Sequence, residues 1–318
     1  MSLFAHILSV FMATNSTVPA ISNEVASATG VSLPLANPVD PEAAALRQVM
    51  IDDDAAQDAA DASIKENDAF AQNGAGETKE QLNVRLHGRF DAVRKEYQAF
   101  LVQYPNSARG HLAYGSFLND LGEEAESVTE YQKSLALDPK NPAVWNNLAN
   151  YYGEFSPVTN AFADYGQAIA LDPTEAVYYR NLATTVYLFR RDAKSYYHIT
   201  EGEVFDKSLG LYRQAMQLAP DDLPLATDYA QTFYGIQPLR TNDALMAWTN
   251  ALNLSHNETE REGVYIHLAR IKMCVGRYDE ARAELAAVTL PEMAQIRQRL
   301  ERNLAEDEHP VKGTNSVP

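Results

Sequence analysis

The stretch "PAVWNNLANYYGEFSPVTNAFADYGQAIALDP", Pro142 to Pro173, decides the fold because its pattern recurs along the chain. Trp145 is followed by Leu148, Ala149 and Tyr152, then by Ala161, Tyr165, Ala168 and Pro173. One period of 34 residues earlier, the same slots hold His111, Tyr114, Gly115, Leu118, Ser127, Tyr131, Ser134 and Pro139. One period later, Tyr179, Leu182, Ala183 and Val186 restart the pattern. A fixed period of this length signals stacked units, each too small to bury its own apolar face. Within a unit, small residues at Ala149 and Ala161 allow two helices to approach closely, and the large residues fill the space between them. Pro139, Pro173 and Pro220 stop the second helix of each unit.

These residues resemble the tetratricopeptide repeat family, in which each unit is a pair of antiparallel helices. The resemblance covers about residues 90–290. It implies an all-α, right-handed solenoid of helix-turn-helix repeats beginning near Ala108, Pro142, Ala176, Leu223 and Glu262. "PEMAQIRQRLERNLAE" places Met293, Ile296, Leu300 and Leu304 on one face and reads as a capping helix. The expected organisation is a disordered lead or signal segment over 1–40, a helix within 41–76, the repeats with their cap over 77–306, and a disordered tail over 307–318. The third unit is 47 residues long, thirteen more than the 34-residue period.

The extra residues lie in "RRDAKSYYHITEGEVFD", Arg190 to Asp206. His198 with Glu201, Glu203 and Asp206 suggests a metal or acid–base site, but Thr200 and Glu203 have the spacing of a helix-capping box. No H-x-x-x-H pairing is present, so architecture explains the acids better than metal binding does. "RRDAKSYYH" then reads as an elongated connection. Its Arg190, Arg191, Tyr196, Tyr197 and His198 form either a contact patch or a packed extension of the hairpin.

Within the family, first helices of successive units line a groove that receives peptides or helices. Carried over by register, that face holds Arg109, Leu112 and Ser116, then Asn146, Asn147 and Asn150, then Arg180, Asn181 and Thr184. Thr227, Asp228 and Gln231 follow, then Ile266, His267 and Arg270. Asparagine amides both donate and accept, which suits them to a partner's backbone and equally to bracing neighbouring helices. One subfamily clamps carboxylates with lysines and asparagines. Leu112 and Ile266 break that pattern and leave Arg180 as the one cation in its slot.

Composition limits the function further. With 26 basic and 43 acidic residues, the net charge of −17 disfavours nucleic acid and anionic lipid. Residues 1–76 carry ten acids and two bases. Among the acids, Asp52–Asp54 lack the spacing of a calcium loop and read as a solvated helix face. The single cysteine, Cys274, excludes an internal disulfide and reads as a small core residue. An apolar run of about eleven residues in "MSLFAHILSVFMA" is too short to span a bilayer. It suits a signal-peptide core, yet no basic residue precedes Arg47, so exported and cytoplasmic readings stay equally open. No phosphate loop, nucleophile elbow or zinc-protease motif occurs, and no cofactor or metal is implied. The sequence therefore predicts a non-catalytic scaffold that binds a protein or peptide. The alternative is an assembly component, of a cell envelope or an oligomer, that acts through the convex face and the N-terminal helix, with self-association.

Overall fold

The computed structural model describes residues 40–72, 76–155 and 157–308. Fourteen α-helices and two short 3-10 turns make up these residues, and no strand is found among them. The fold is all-α, with antiparallel helix-turn-helix hairpins stacked in chain order. The chain forms two compact units, residues 1–151 and 152–318.

In the first unit, α1 (Pro41–Gln72) packs on α2 (Lys79–Gln103), which packs on the hairpin of α3 (Ala108–Asp120) and α4 (Glu124–Leu137). The helix α5 (Pro142–Phe155) begins in this unit. Hairpin closure is tight where the small slot predicts it. A Cβ on Gly115 would stand 2.6 Å from the Tyr131 ring, so only glycine fits against that side chain. Ser134 binds across the same hairpin, its hydroxyl donating to the Ala108 carbonyl at 2.8 Å. Two starts are capped by their own sequence: Thr78 and Gln81 form a capping box on α2, and Ser107 accepts from Gly110 N–H on α3.

Of the triple acid in α1, Asp53 is buried, while Asp52 and Asp54 keep contact with solvent. Leu46, Val49, Met50, Ala56 and Ala60 are buried, and Asp53 falls on the same stripe. Its carboxylate accepts from Tyr97 Oη at 2.9 Å and Gln57 Nε2 at 2.9 Å. Tyr97 is itself 1% exposed, so this hydrogen bond lies in the core of the unit. A hydroxyl donor 44 residues away in sequence supplies to Asp53 what solvent supplies to a carboxylate on an exposed face.

In the second unit, α6 (Val158–Leu171) packs on α7 (Ala176–Leu188), which pairs with α9 (Glu201–Leu218). Next come α10 (Leu223–Thr232) and α11 (Thr241–Leu254), then α12 (Glu258–Cys274) and α13 (Tyr278–Ala286). α14 (Ala294–Glu308) closes the stack by burying Leu300 and Leu304 against Ile266, Ala269, Ala281 and Leu285. The repeat slots keep their roles here. Ala183, Ala215, Ala230 and Ala269 are fully buried, and Ser208 Oγ donates to the Ala183 carbonyl at 2.9 Å.

Three expectations need correction. The fifth unit opens at Glu258 rather than Glu262, because Asn257 caps the helix through Glu260 N–H at 2.9 Å. Cys274 is exposed at the end of α12, where the buried stripe has already ended at Ile271. Finally, "RRDAKSYY" is no extended connection: it is a helix, α8 (Arg190–Tyr197). It ends at His198, whose left-handed φ of 55° turns the chain into α9. There Thr200 and Glu203 form the expected capping box. The acids of this stretch thus have structural roles.

Candidate functional site

The predicted contact face divides between the two units. In the first, Arg109 is engaged with the N-terminal helix: Nη2 lies 3.5 Å from Asp40 Oδ2, while Asp40 Oδ1 caps α1 through Glu42 and Ala43 N–H. Ser116 is buried and receives the Tyr131 hydroxyl and the Asn147 amide, each at 3.4 Å. Burial pushes the Tyr131 hydroxyl up to about 12, which keeps it a donor. Asn146 is also buried and donates to Asn147 Oδ1 at 3.3 Å. Asn147 therefore braces α5 against α3, and Asn150 is the exposed member of the trio.

In the second unit, Arg180 and Asp228 meet. Nε donates to Asp228 Oδ2 at 2.8 Å, and Nη2 lies 2.7 Å from the same oxygen. Burial holds the Asp228 carboxyl above its usual range, and Arg180 opposes that shift. The guanidinium thus serves α10 and is not an open cation awaiting a partner's carboxylate. Thr184 donates to the Arg180 carbonyl at 3.0 Å, so at its 2.8 Å contact with Tyr212 the tyrosine hydroxyl is the donor. Asn181 is half-buried beside them and Gln231 is exposed.

His267 lies flat on Trp248, with ring centroids 4.0 Å apart and planes 5° from parallel. Its Nδ1 is 3.0 Å from the Tyr234 hydroxyl. Burial, then the nearby Arg270 charge, lowers its pKa to about 4, so the imidazole is neutral near pH 7. Arg270 stands 5.4 Å from the Tyr234 ring centroid and is exposed. Asn150, Thr184, Gln231 and Arg270 occupy the same slot of successive units, and three of the four are exposed.

The α8 residues divide by type. Tyr196 and Tyr197 pack on Phe162 of α6, with centroids 5.3 and 5.5 Å away, and Ala193 is fully buried. Lys207 Nζ sits 4.1 Å from the Tyr197 ring centroid. Arg190 lies 3.6 Å from Glu201, while Arg191 and His198 face solvent. The tyrosines dock α8 on its own unit, which is the packed-extension reading of this stretch.

One feature escaped the sequence. A cleft of about 270 Å³ opens between α9 and α11 over α10. Leu209, Phe233 and Ala247 form its floor, Met216 and Met246 its walls, and Arg213, Arg240, Asp243 and Asn250 its rim. Met246 is 63% exposed, the one local signal in the sequence being an apolar residue off the repeat's buried slots.

Residues 115–154 match the family model described as TPR repeat. PilF of Pseudomonas aeruginosa is similar in structure, with a TM-score of 0.51 at 15% identity over 78% of this chain and 99% of that one. PilW, described as a widely conserved type IV pilus biogenesis factor, gives 0.52 at 13% identity over 71% and 96%. No curated protein matches the sequence. At these identities the likeness is one of fold.

Proposed function

We propose that this chain, built from tetratricopeptide repeats, is a non-catalytic scaffold that receives an extended peptide or helix of a partner protein on its first-helix faces. The observation that carries this reading is the slot shared by Gln231 and Arg270 of the second unit, exposed on helices whose neighbouring positions are buried. Helices presenting an amide and a guanidinium group in the same slot suit a partner's backbone and acidic side chains. Arg180 and Asp228 support this face through each other, and Thr184 through the Arg180 carbonyl and Tyr212. Asn181 and His267 lie at its half-buried edge.

The combined variant Gln231→Ala/Arg270→Ala tests the reading by affinity capture from the native cell. Both side chains are exposed, so melting should stay within about 1 °C while recovery of the partner is lost. Undiminished recovery removes the face from consideration.

Self-association is the second reading, favoured by Ile51 and Phe70 of α1, which are 48% and 51% exposed. Ile51→Lys with Phe70→Lys should then lower the mass measured by light scattering. Deleting α1 would be a poor test, because it uncovers Tyr97 and Phe100 of α2.

A further inference from the structure

We propose that the cleft between α9 and α11 is a second docking site, taking a peptide segment in which a bulky apolar residue stands next to an acidic one. The site lies apart from the first-helix face: only Tyr229 and Phe233 of the α10 segment reach it, as part of its base.

The apolar half of the argument is shape. Leu209, Phe233 and Ala247 line the base of the cleft and are almost fully buried, so the apolar surface it offers is chiefly that of Met216 and Met246. Met216 and Met246 stand along it. Unbranched thioethers adapt to differently shaped side chains, which suits a wall that must close on an inserted residue. A volume of about 270 Å³ is just below the ~300–1,000 Å³ typical of small-molecule sites, and it suits one inserted side chain with its neighbours. Leaving Met246 in water has no benefit to this unit, whose other large apolar residues nearby pack on Trp248 and Phe233.

The polar half is charge complementarity. Of the two rim arginines, Arg240 is already matched, with Nη1 2.6 Å from Asp206 Oδ1. Arg213 has no carboxylate or hydrogen-bond partner among the described residues and is exposed at the edge of the apolar floor. A cation beside an apolar recess selects an acid adjacent to the anchor residue. Asp243 and Asn250 on the α11 rim face it from the other side and suit backbone N–H groups, which fixes the segment's direction. The long-range field of a chain with net charge −17 opposes an acidic partner, so selection rests on this local contact. Arginine and aromatic residues around a desolvated anchor pocket are the composition of a binding hot spot.

The test uses the full chain with 13C-methyl methionine, Met216 and Met246 being assigned by substitution to leucine. Three capped peptides are titrated: Ac-Glu-Phe-Leu-Glu-amide, Ac-Lys-Phe-Leu-Lys-amide and Ac-Glu-Ala-Ala-Glu-amide. The first should shift both methyl signals saturably, and the other two should bind at least fivefold more weakly. Arg213→Gln, a change at an exposed side chain, should weaken the first peptide by at least fivefold without altering melting, whereas Gln231→Ala/Arg270→Ala should leave its binding unchanged. The proposal is overturned if neither methyl moves, if the lysine peptide binds as well, or if Arg213→Gln has no effect. Since the first-helix variant is scored by partner capture, the two sites stand or fall separately.

Discussion

Acidification from pH 8 to pH 5 should stabilise the unit of residues 1–151, the reverse of ordinary acid denaturation. α1 meets α2 and α3 through acids. Asp52, Asp53, Asp54 and Asp58 lie on α1, Glu96 and Tyr97 on α2, and Asp120 on α3. Burial holds the Asp53 carboxyl above its usual range against the hydrogen bonds from Gln57 and Tyr97. Burial and then the Asp53 charge raise Asp54 to about 6 and Asp120 to about 7, and burial followed by Asp52 raises Glu96. A group whose pKa is higher folded than unfolded favours folding when protonated, and that contribution is complete below the unfolded value near 4. It is lost as pH rises through about 6 to 7.

One pKa unit corresponds to about 1.4 kcal/mol. The Asp54 and Asp120 shifts, taken whole, would therefore give several kcal/mol. Asp54 is half-exposed, however, and the Asp120 side chain keeps contact with solvent, so screening leaves about 2 kcal/mol for the row. For a unit of this size that is about 4–8 °C in melting temperature. Glu123 and Glu130 act oppositely. Arg94 lowers Glu123, and His111 and Lys133 outweigh burial in lowering Glu130, so their loss of stability falls below pH 4.5, outside the window.

Calorimetry at intervals between pH 5 and 8 measures the slope, and Asp53→Asn should flatten it while raising the pH 8 melting point. Asparagine keeps an acceptor for Tyr97 Oη and removes the charge that Asp54 and Asp120 share the site with. His267, held neutral in the other unit, acts oppositely there. A melting transition of residues 1–151 that falls on acidification through this window would refute the reasoning. So would an Asp53→Asn variant less stable than the parent at pH 8.

Gly115→Ala should lower stability by about 1–3 kcal/mol in urea unfolding, because its Cβ would stand 2.6 Å from the Tyr131 ring. Arg180→Ala should cost more than Arg180→Ala/Asp228→Asn, since the single change leaves a half-buried carboxylate unpaired. A double-mutant cycle by thermal melting measures the difference, expected at about 1 kcal/mol or more. Thr200→Ala should cost about 1 kcal/mol by removing the α9 capping box, with a matching loss of hydrogen-exchange protection in its first turn.

The periodic part of the fold was legible because each slot imposes a size. Glycine or alanine is needed where helices touch, and an aromatic or leucine where they part, so Ala149, Ala183 and Ala230 announce themselves. α8 was not legible, since eight residues are too few to show a helical period. What makes it a helix is tertiary: Tyr196 and Tyr197 finding Phe162. Asn257 and Glu260 did carry a helix-start signal, but the repeat register pointed four residues later. Register put Arg180 and Asp228 on first helices but gave no sign that they pair, because their partnership spans 48 residues. Apart from Met246, the cleft has no local pattern, being formed where two second helices stand apart over α10.

The central claim concerns where a partner lies. Incorporating a photo-crosslinking phenylalanine derivative in vivo at Gln231, at Arg270 and at the exposed second-helix residue Gln167 measures that directly. The account predicts that Gln231 and Arg270 capture the same polypeptide and Gln167 captures none. Adducts at Gln167 alone, or none at either first-helix position, would contradict it.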